Sequence, residues 1–172
     1  GYKTIDIYGE TGTTHTLSLS GALSGGTGGN TIQEDDLVLV TLSIATGQQY
    51  TLSFNTSGYT QLFNIYGNSW DNDNQFFGGY KIMGSTPDSS VVINLSQPSN
   101  RAYWQHVLTA HAFRYVDQTT PMDTSAVTAV ENASTSPPVQ SITTVTKNAM
   151  VVCCVANSFN NNSLAVLNWS GG

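Results

Sequence analysis

Short apolar segments recur roughly every 8 to 15 residues along this chain, and Gly, Asn, Asp or Pro separates each segment from the next. No window shows the i, i+3, i+4, i+7 spacing of an amphipathic helix with its capping residues. Segments of this length and spacing are typical of a β-sandwich or a β-barrel. The sequence therefore predicts an all-β fold.

Ten segments are predicted as strands, and an eleventh as an edge strand. The ten are Lys3–Tyr8, Thr14–Ser20, Leu37–Ile44, Tyr50–Phe54, Gln61–Tyr66, Gln75–Met83, Val91–Ser96, Gln105–Val116, Ala149–Ala156 and Leu164–Trp169. The edge strand is Val139–Thr146. We expect a single domain over 1–172, and the turn residues that follow Trp169 predict a further strand beyond this sequence.

The apolar pattern within the strands predicts which faces are buried. Alternation in Thr14–Ser20 and in Val91–Ser96 places one apolar face inward and one polar face in water. Leu37–Leu42 is instead apolar on both faces, which predicts a central strand between two layers. In Gln105–Val116, Val107, Phe113 and Tyr115 share one face, and Leu108, Ala110, Ala112 and Val116 share the other.

Composition excludes several functional classes. Only 9% of the 172 residues are charged, and five Lys and Arg stand against eleven Asp and Glu, a net charge of −6. A nucleic-acid-binding surface needs a basic patch that this chain lacks. No window reaches the roughly 18 consecutive apolar residues of a membrane helix. We therefore expect neither nucleic acid nor membrane insertion among the partners.

The cysteines and histidines predict no metal or redox site. Cys153 and Cys154 are adjacent, so in a strand they point to opposite faces and cannot bridge each other without strain. We expect two buried free thiols. His106 and His111 lie five residues apart on one predicted strand, so they also point to opposite faces. His111 is expected to be a core histidine with a neighbouring hydrogen-bond partner.

The segment Trp70–Asn74 is the candidate binding site in the sequence. Asp71 and Asp73 resemble the start of a calcium loop, but Phe76 occupies the position where such a loop needs Gly. An aromatic ring beside acids and amides also suits a sugar, so Trp70, Asp71, Asp73 and Tyr66 are the predicted glycan contacts, with Trp169 a further candidate. The alternative is a solvated turn with Trp70 folded onto the core.

No pattern of residues predicts catalysis. The Gly-x-Ser-x-Gly motif, the phosphate-binding loop and the Cys-x-x-Cys motif are all missing, and the acids lie at strand ends and turns. Gln105-His106-Val107 breaks the Gln-x-His motif of jelly-roll polysaccharide lyases. We therefore predict a protein that is not an enzyme, with no catalytic residue, no cofactor and no metal.

Several short motifs, taken in order, resemble a family of jelly-roll-like structural proteins of tailed bacteriophages and prophages. The resemblance spans about residues 34 to 156 and departs from the family pattern at Tyr115, where that family favours Gly. Its motifs are Glu34–Val40, Gly78–Ile82, Thr86–Asp88, Ala112–Asp123, Pro137-Pro138 and Asn148–Val152.

The resemblance implies a jelly-roll-like antiparallel β-sandwich and a structural component of the virion. The expected role is capsid surface decoration, or a head fibre or tail-associated module, assembled in the host cytoplasm and exposed on the particle. It implies capsid or tail proteins as partners and a homo-oligomer, with a trimer favoured. The alternative function is a carbohydrate-binding module that recognises a glycan on the host surface.

Overall fold

A computed structural model describes residues 1–8, 12–26, 30–46, 48–67, 74–97, 105–128 and 141–156. Within these ranges all regular secondary structure is β-strand, and no helix there is long and apolar enough to cross a membrane. The strands are β1 (Tyr2–Tyr8), β2 (Thr14–Ser18), β3 (Leu37–Ala45), β4 (Leu52–Phe54), β5 (Thr60–Gly67), β6 (Asn74–Ile82), β7 (Ser90–Leu95) and β8 (Gln105–Phe113). Each of the first eight predicted strands is therefore present.

The strands form two antiparallel sheets whose order is jelly-roll-like except at β5. The large sheet has the order β1-β8-β3-β6-β5, and the small sheet has the order β2-β7-β4. β1 pairs with β8 and β3 with β6 in the large sheet, and β2 pairs with β7 in the small sheet, as in a jelly roll. β5 departs from that pattern, because it pairs with β6 in the large sheet and not with β4 in the small one. The predicted antiparallel β-sandwich is confirmed.

The core lies between the inner faces of the two sheets. β3 contributes Val38, Val40, Leu42 and Ile44, and the small sheet contributes Leu17, Leu52, Val91, Ile93 and Leu95. Because side chains alternate across a strand, the polar residues between these positions point away from the core. The inward faces predicted for Thr14–Ser20 and Val91–Ser96 are confirmed.

The strand predicted over Gln105–Val116 ends early, at Phe113. Arg114 leaves the sheet to form two hydrogen bonds to the buried Asp36 carboxylate, at 2.8 and 2.9 Å. Tyr115 then takes a left-handed conformation, with a φ of 64 degrees, and it is 94% exposed. Tyr115 therefore does not share a strand face with Val107 and Phe113, and that prediction was wrong. Glycine is the residue that this conformation favours.

Two further predicted strands do not form. Ala149–Ala156 and the described part of Val139–Thr146 have no ladder hydrogen bonds, and most of their side chains are exposed. Their sequences have the β-branched residues of a strand, but a strand also has to pair with the edge of another strand, and these segments pair with none of the described strands. The predicted strand Leu164–Trp169 lies outside the described residues.

Candidate functional site

The large sheet has a second apolar side, which we call the outer face. It consists of the side chains that point away from the small sheet. On β3 these are Leu37, Leu39, Thr41, Ser43 and Ala45, which alternate with the core residues of the same strand. Leu37 and Leu39 are only 7% and 8% exposed, yet neither belongs to the contiguous core cluster between the sheets.

The strand register shows which neighbours shield these two leucines. Leu39 lies between His111 of β8 and Tyr80 of β6, and Leu37 lies between Phe113 of β8 and Ile82 of β6. The flanking side chains are half-buried and keep part of their surface open to solvent. The apolar residues of the outer face are Leu37, Leu39, Phe63, Ile65, Phe76, Tyr80, Ile82, Val107 and Phe113. The described strands cover the inner face of the sheet and leave this one open.

Aromatic rings pack against one another across the outer face. The Phe63 and Phe76 ring centroids are 5.0 Å apart, and His111 lies 5.8 Å from the Tyr2 ring and 6.5 Å from the Phe113 ring. The Phe63 ring rests over Gly78, where a Cβ atom would overlap it. These contacts restrict the orientations that the rings can adopt.

The small sheet presents the opposite chemistry on its own outward side. Thr14, Thr16 and Ser18 of β2 and Ser53 of β4 point outward and are exposed. Val92 is the apolar residue in this otherwise polar surface, and it is half-buried opposite Thr16. A polar outer side is usual for an antiparallel sheet that faces water, whereas an apolar one is typical of an interface.

The centre of the outer face is free of charge. No Asp, Glu, Lys or Arg occurs among its residues on β3, β5, β6 and β8, and Asp6 lies at the margin on β1. Burial lowers the pKa of His111, and the nearby N-terminal ammonium group lowers it further, so the imidazole is neutral at pH 7. Interfaces between proteins have this same arrangement of a charge-poor, aromatic centre.

The predicted glycan contacts are described only at Tyr66. It lies on β5 opposite Gln75 and is half-buried. Trp70, Asp71 and Asp73, like Trp169, lie outside the described residues. The glycan site therefore stays a prediction.

His106 and His111 point to opposite faces of the large sheet, as predicted. His106 points into the core, where its Nδ1 atom lies 2.7 Å from Nε2 of His15. His111 lies on the outer face, so the prediction that it is a core histidine was wrong. Burial, together with the nearby His15, lowers the pKa of His106 to about 4.

The two cysteines are free, as predicted, but they are not both buried. Cys153 is exposed and Cys154 is half-buried, because the segment that carries them does not join a sheet. Burial raises the pKa of the Cys154 thiol, and the adjacent Cys153 raises it further.

The sequence contained one signal for the outer face. Leu37–Leu42 is apolar on both sides, and from this a layer was predicted on each. Among the described residues, the small sheet is the only one of those two layers. Phe63, Tyr80 and His111 gave no signal of their own, because their shared face follows from the register of strands that are distant in sequence.

Fold and site together define a jelly-roll-like antiparallel β-sandwich with one polar and one apolar outer side. Comparison with known proteins finds no match among family models, curated proteins or solved structures. Within the described ranges, no group of three or more His, Cys, Asp or Glu side chains could hold a metal ion.

Proposed function

We propose that this chain is a non-catalytic structural protein that assembles with copies of itself through the outer face of the large sheet. The apolar, charge-free outer face is the observation that carries the proposal. Leu37 and Leu39 supply its buried centre, and aromatic rings surround them. Aromatic residues in such a setting dominate the binding energy of protein interfaces.

The size of the outer face suits an interface between subunits. Strands about 4.8 Å apart and residues about 3.4 Å apart give the five strands of the large sheet a plan area of roughly 700 Å². A standard interface buries about 800 Å² on each partner, whereas the largest apolar patch on a monomer is about 300–600 Å². Side-chain relief adds to the plan area, so the outer face approaches what a stable association needs.

The expected setting is the surface of a virus particle. Jelly rolls are common in capsid proteins, and the motif resemblance to phage structural proteins supports the same setting. A fold by itself does not determine a function, so the proposal depends on the outer face and on its test.

The first experiment measures the native mass of the purified chain by light scattering over a range of concentrations. We expect an oligomer, with a trimer favoured, and a shift towards monomer in Tyr80→Lys, which places a charge on the outer face. Val92→Lys is the matched control, because it makes a comparable change on the outward side of the small sheet. We expect it to leave the mass unchanged.

Two results would overturn the proposal. The first is a wild-type chain that stays monomeric at every concentration, and the second is an oligomer that Tyr80→Lys leaves intact. A monomer that binds a glycan array and loses that binding in Trp70→Ala would favour the carbohydrate-binding function instead.

A further inference from the structure

Strand β1 has an open edge. Its backbone pairs with β8 on one side, and on the other side Tyr2 exchanges two hydrogen bonds of 2.9 Å with Ser24. Successive residues of an antiparallel strand direct their backbone groups alternately to the two sides, so Thr4 and Asp6 point the same way as Tyr2. The N–H and C=O groups of Thr4 and Asp6 have no partner on that side among the described residues. An exposed edge of this kind is a template for another strand.

A groove of mixed polar and apolar lining runs beside the open edge, between β1 and β2. Its volume is about 360 Å³, and Ile5 and Leu17 are its larger aliphatic residues. Ile5 is partly exposed there, although it lies on the same side of β1 as the buried Ile7. The remaining lining residues are Tyr2, Lys3, Thr4, Ser18, Ala22 and Ser24. A strand added to β1 would place alternate side chains in this groove.

The segment Met150–Val155 has the sequence of a strand but pairs with no strand among the described residues. It is uncharged, rich in valine and apolar on both faces, and Met150 is 63% exposed. Val152 and Val155 are also exposed. A strand that is apolar on both faces belongs in a sheet with both sides covered. In a strand added beside β1, the side chains of one face would lie in the groove and those of the other face would extend the apolar outer face.

We propose that Met150–Val155 of one copy of this chain adds as a strand to the β1 edge of a second copy. The donor backbone would bond to Thr4 and Asp6, and its inward side chains would pack beside Ile5. Peptide recognition by strand addition works in this way, with affinity from the main chain and specificity from the groove.

The structure favours a second copy over the same chain as the donor. In its own chain the segment lies with Met150, Val152 and Val155 in solvent rather than over the β1 groove. The Asp123 carboxylate fixes the preceding residues by accepting hydrogen bonds from the N–H groups of Val145 and Thr146, at 2.5 and 2.8 Å. Met150–Val155 has no charged residue, and the charges of Lys3 and Asp6 on the β1 edge are opposite in sign. The contact therefore brings no like charges together, although each chain has a net charge of −6.

Each contact of this kind is head-to-tail, because the donor segment and the acceptor edge are different surfaces of the chain. Such contacts close into a ring when the rotation between copies allows it, and otherwise form a filament. This inference goes beyond the proposed function, because it concerns the edge of the sheet rather than its outer face.

The native cysteines make the proposal testable by disulfide trapping. One chain carries Thr4→Cys with Cys153→Ser and Cys154→Ser, and a second, differently tagged chain keeps Cys153 and Cys154. Paired strands place opposite Cα atoms about 4.5–5.5 Å apart, which lies within the range of a disulfide. Adjacent cysteines point to both faces, so one of the two faces the same way as residue 4. An Asp6→Cys chain tests the neighbouring register.

We expect a disulfide between the two tagged chains at position 4 or 6 under mild oxidation. Ser53→Cys in the same serine background is the matched control, because Ser53 is an exposed residue of β4, an edge strand on the opposite side of the small sheet. We expect it to form at most a trace of the mixed product. As a measurement without substitutions, hydrogen exchange at the Thr4 and Asp6 amides should slow as the wild-type concentration rises.

Two results would overturn the proposal. In a chain that keeps both native cysteines, Thr4→Cys could form a disulfide within the monomer, which would make the donor the chain's own segment. Trapping at positions 4 and 6 could also fail to exceed the Ser53→Cys control. An oligomer that Tyr80→Lys dissociates but that gives no trapping would leave the proposed function standing and reject only the strand exchange.

Discussion

Nδ1 of His106 lies 2.7 Å from Nε2 of His15, and this contact joins β8 of the large sheet to β2 of the small sheet inside the core. The two side chains are 2% and 1% exposed. One ring must donate the shared proton and the other must accept it, so the pair is satisfied only while one of these two nitrogens has no proton. Nε2 of His106 has no hydrogen-bond partner among the described residues.

This pair predicts that the protein loses stability in mild acid. The pKa of His106 is lowered from 6.5 to about 4 in the folded state, so the unfolded chain binds the proton more tightly. The stabilisation is complete above pH 6.5 and is lost as the pH falls from 6.5 towards 4. A shift of this size corresponds to about 3 kcal/mol in the free energy of unfolding. Urea unfolding measured between pH 7 and pH 4 tests it.

The matched variants are His106→Gln and His111→Asn. His106→Gln removes the titrating group from the core, so we expect a lower stability at pH 7 and a flatter pH dependence. His111→Asn alters a half-buried histidine of the outer face and should retain most of the slope. An equal slope in the wild type and in His106→Gln would contradict the prediction.

The ion pair between Arg114 and Asp36 predicts a second stability effect. Burial favours a higher pKa for Asp36, but the hydrogen bonds from Arg114 and from the Gln33 N–H lower it by more, to below 3.8. Arg114→Ala would leave the buried carboxylate without its cation, and we expect a loss of roughly 3 kcal/mol at pH 7. The stabilisation from Asp36 is present above pH 3.8 and is lost as the pH falls through the lower, folded-state pKa.

Arg114→Lys separates charge from geometry, because a lysine keeps the charge but not the two-pronged hydrogen bond of the guanidinium group. We expect an intermediate loss. A comparison with Lys81→Ala is informative, because the Lys81–Asp88 pair is more open to solvent on its acidic side. A smaller loss for Arg114→Ala than for Lys81→Ala would rule out this account.

Tyr115 predicts a stabilising substitution. Its φ of 64 degrees is unfavourable for a residue with a Cβ, and its exposed ring contributes little packing. Tyr115→Gly should relieve the strain and raise the free energy of unfolding by about 0.5–1 kcal/mol after the entropic cost of glycine. Asn148 has a similar φ of 67 degrees, but asparagine tolerates this conformation, so Asn148→Gly should gain less. Equal gains at the two positions would contradict the explanation.

The strands could be predicted because alternation and turn residues are local signals. Leu17, Leu19, Val91 and Ile93 each face the core as the alternation requires. Ala149–Ala156 carries the same local signal, yet it forms no strand, because pairing depends on an edge elsewhere in the molecule. Local patterns thus predict which segments can be strands, and they do not predict which of them find a partner.

The buried polar pairs and the outer face could not be predicted in this way. His15 and His106 are separated by 91 positions, and Asp36 and Arg114 by 78, so no sequence spacing connects them. The outer face likewise depends on the register that aligns His111, Leu39 and Tyr80 across three strands. The one sequence signal for the outer face was β3, whose apolar residues on both faces predicted a packed layer on each side of the sheet.

Gln75 is a further buried polar residue whose role depends on distant pairing, and it predicts the final stability effect. Its side-chain oxygen accepts a hydrogen bond from the Tyr50 N–H at 2.7 Å, and its Nε2 atom donates to the Tyr50 carbonyl and to Asn64 Oδ1, each at 2.7 Å. The Gln75 amide thereby joins Tyr50, which precedes β4, to strand β6. The Tyr50 backbone is not paired in either of the described sheets. Gln75→Ala should cost about 3 kcal/mol, because it leaves a cavity and removes the partners of two buried backbone groups.

Gln75→Met distinguishes the two causes, because methionine fills a similar volume but cannot form these hydrogen bonds. We expect Gln75→Met to retain most of the loss in urea unfolding, since an unpaired buried N–H or C=O group costs about 1–3 kcal/mol. Gln61→Ala on the neighbouring strand β5 is the control, because Gln61 is exposed, and it should change stability little. If Gln75→Met were as stable as the wild type, packing rather than hydrogen bonding would explain why a glutamine is buried here.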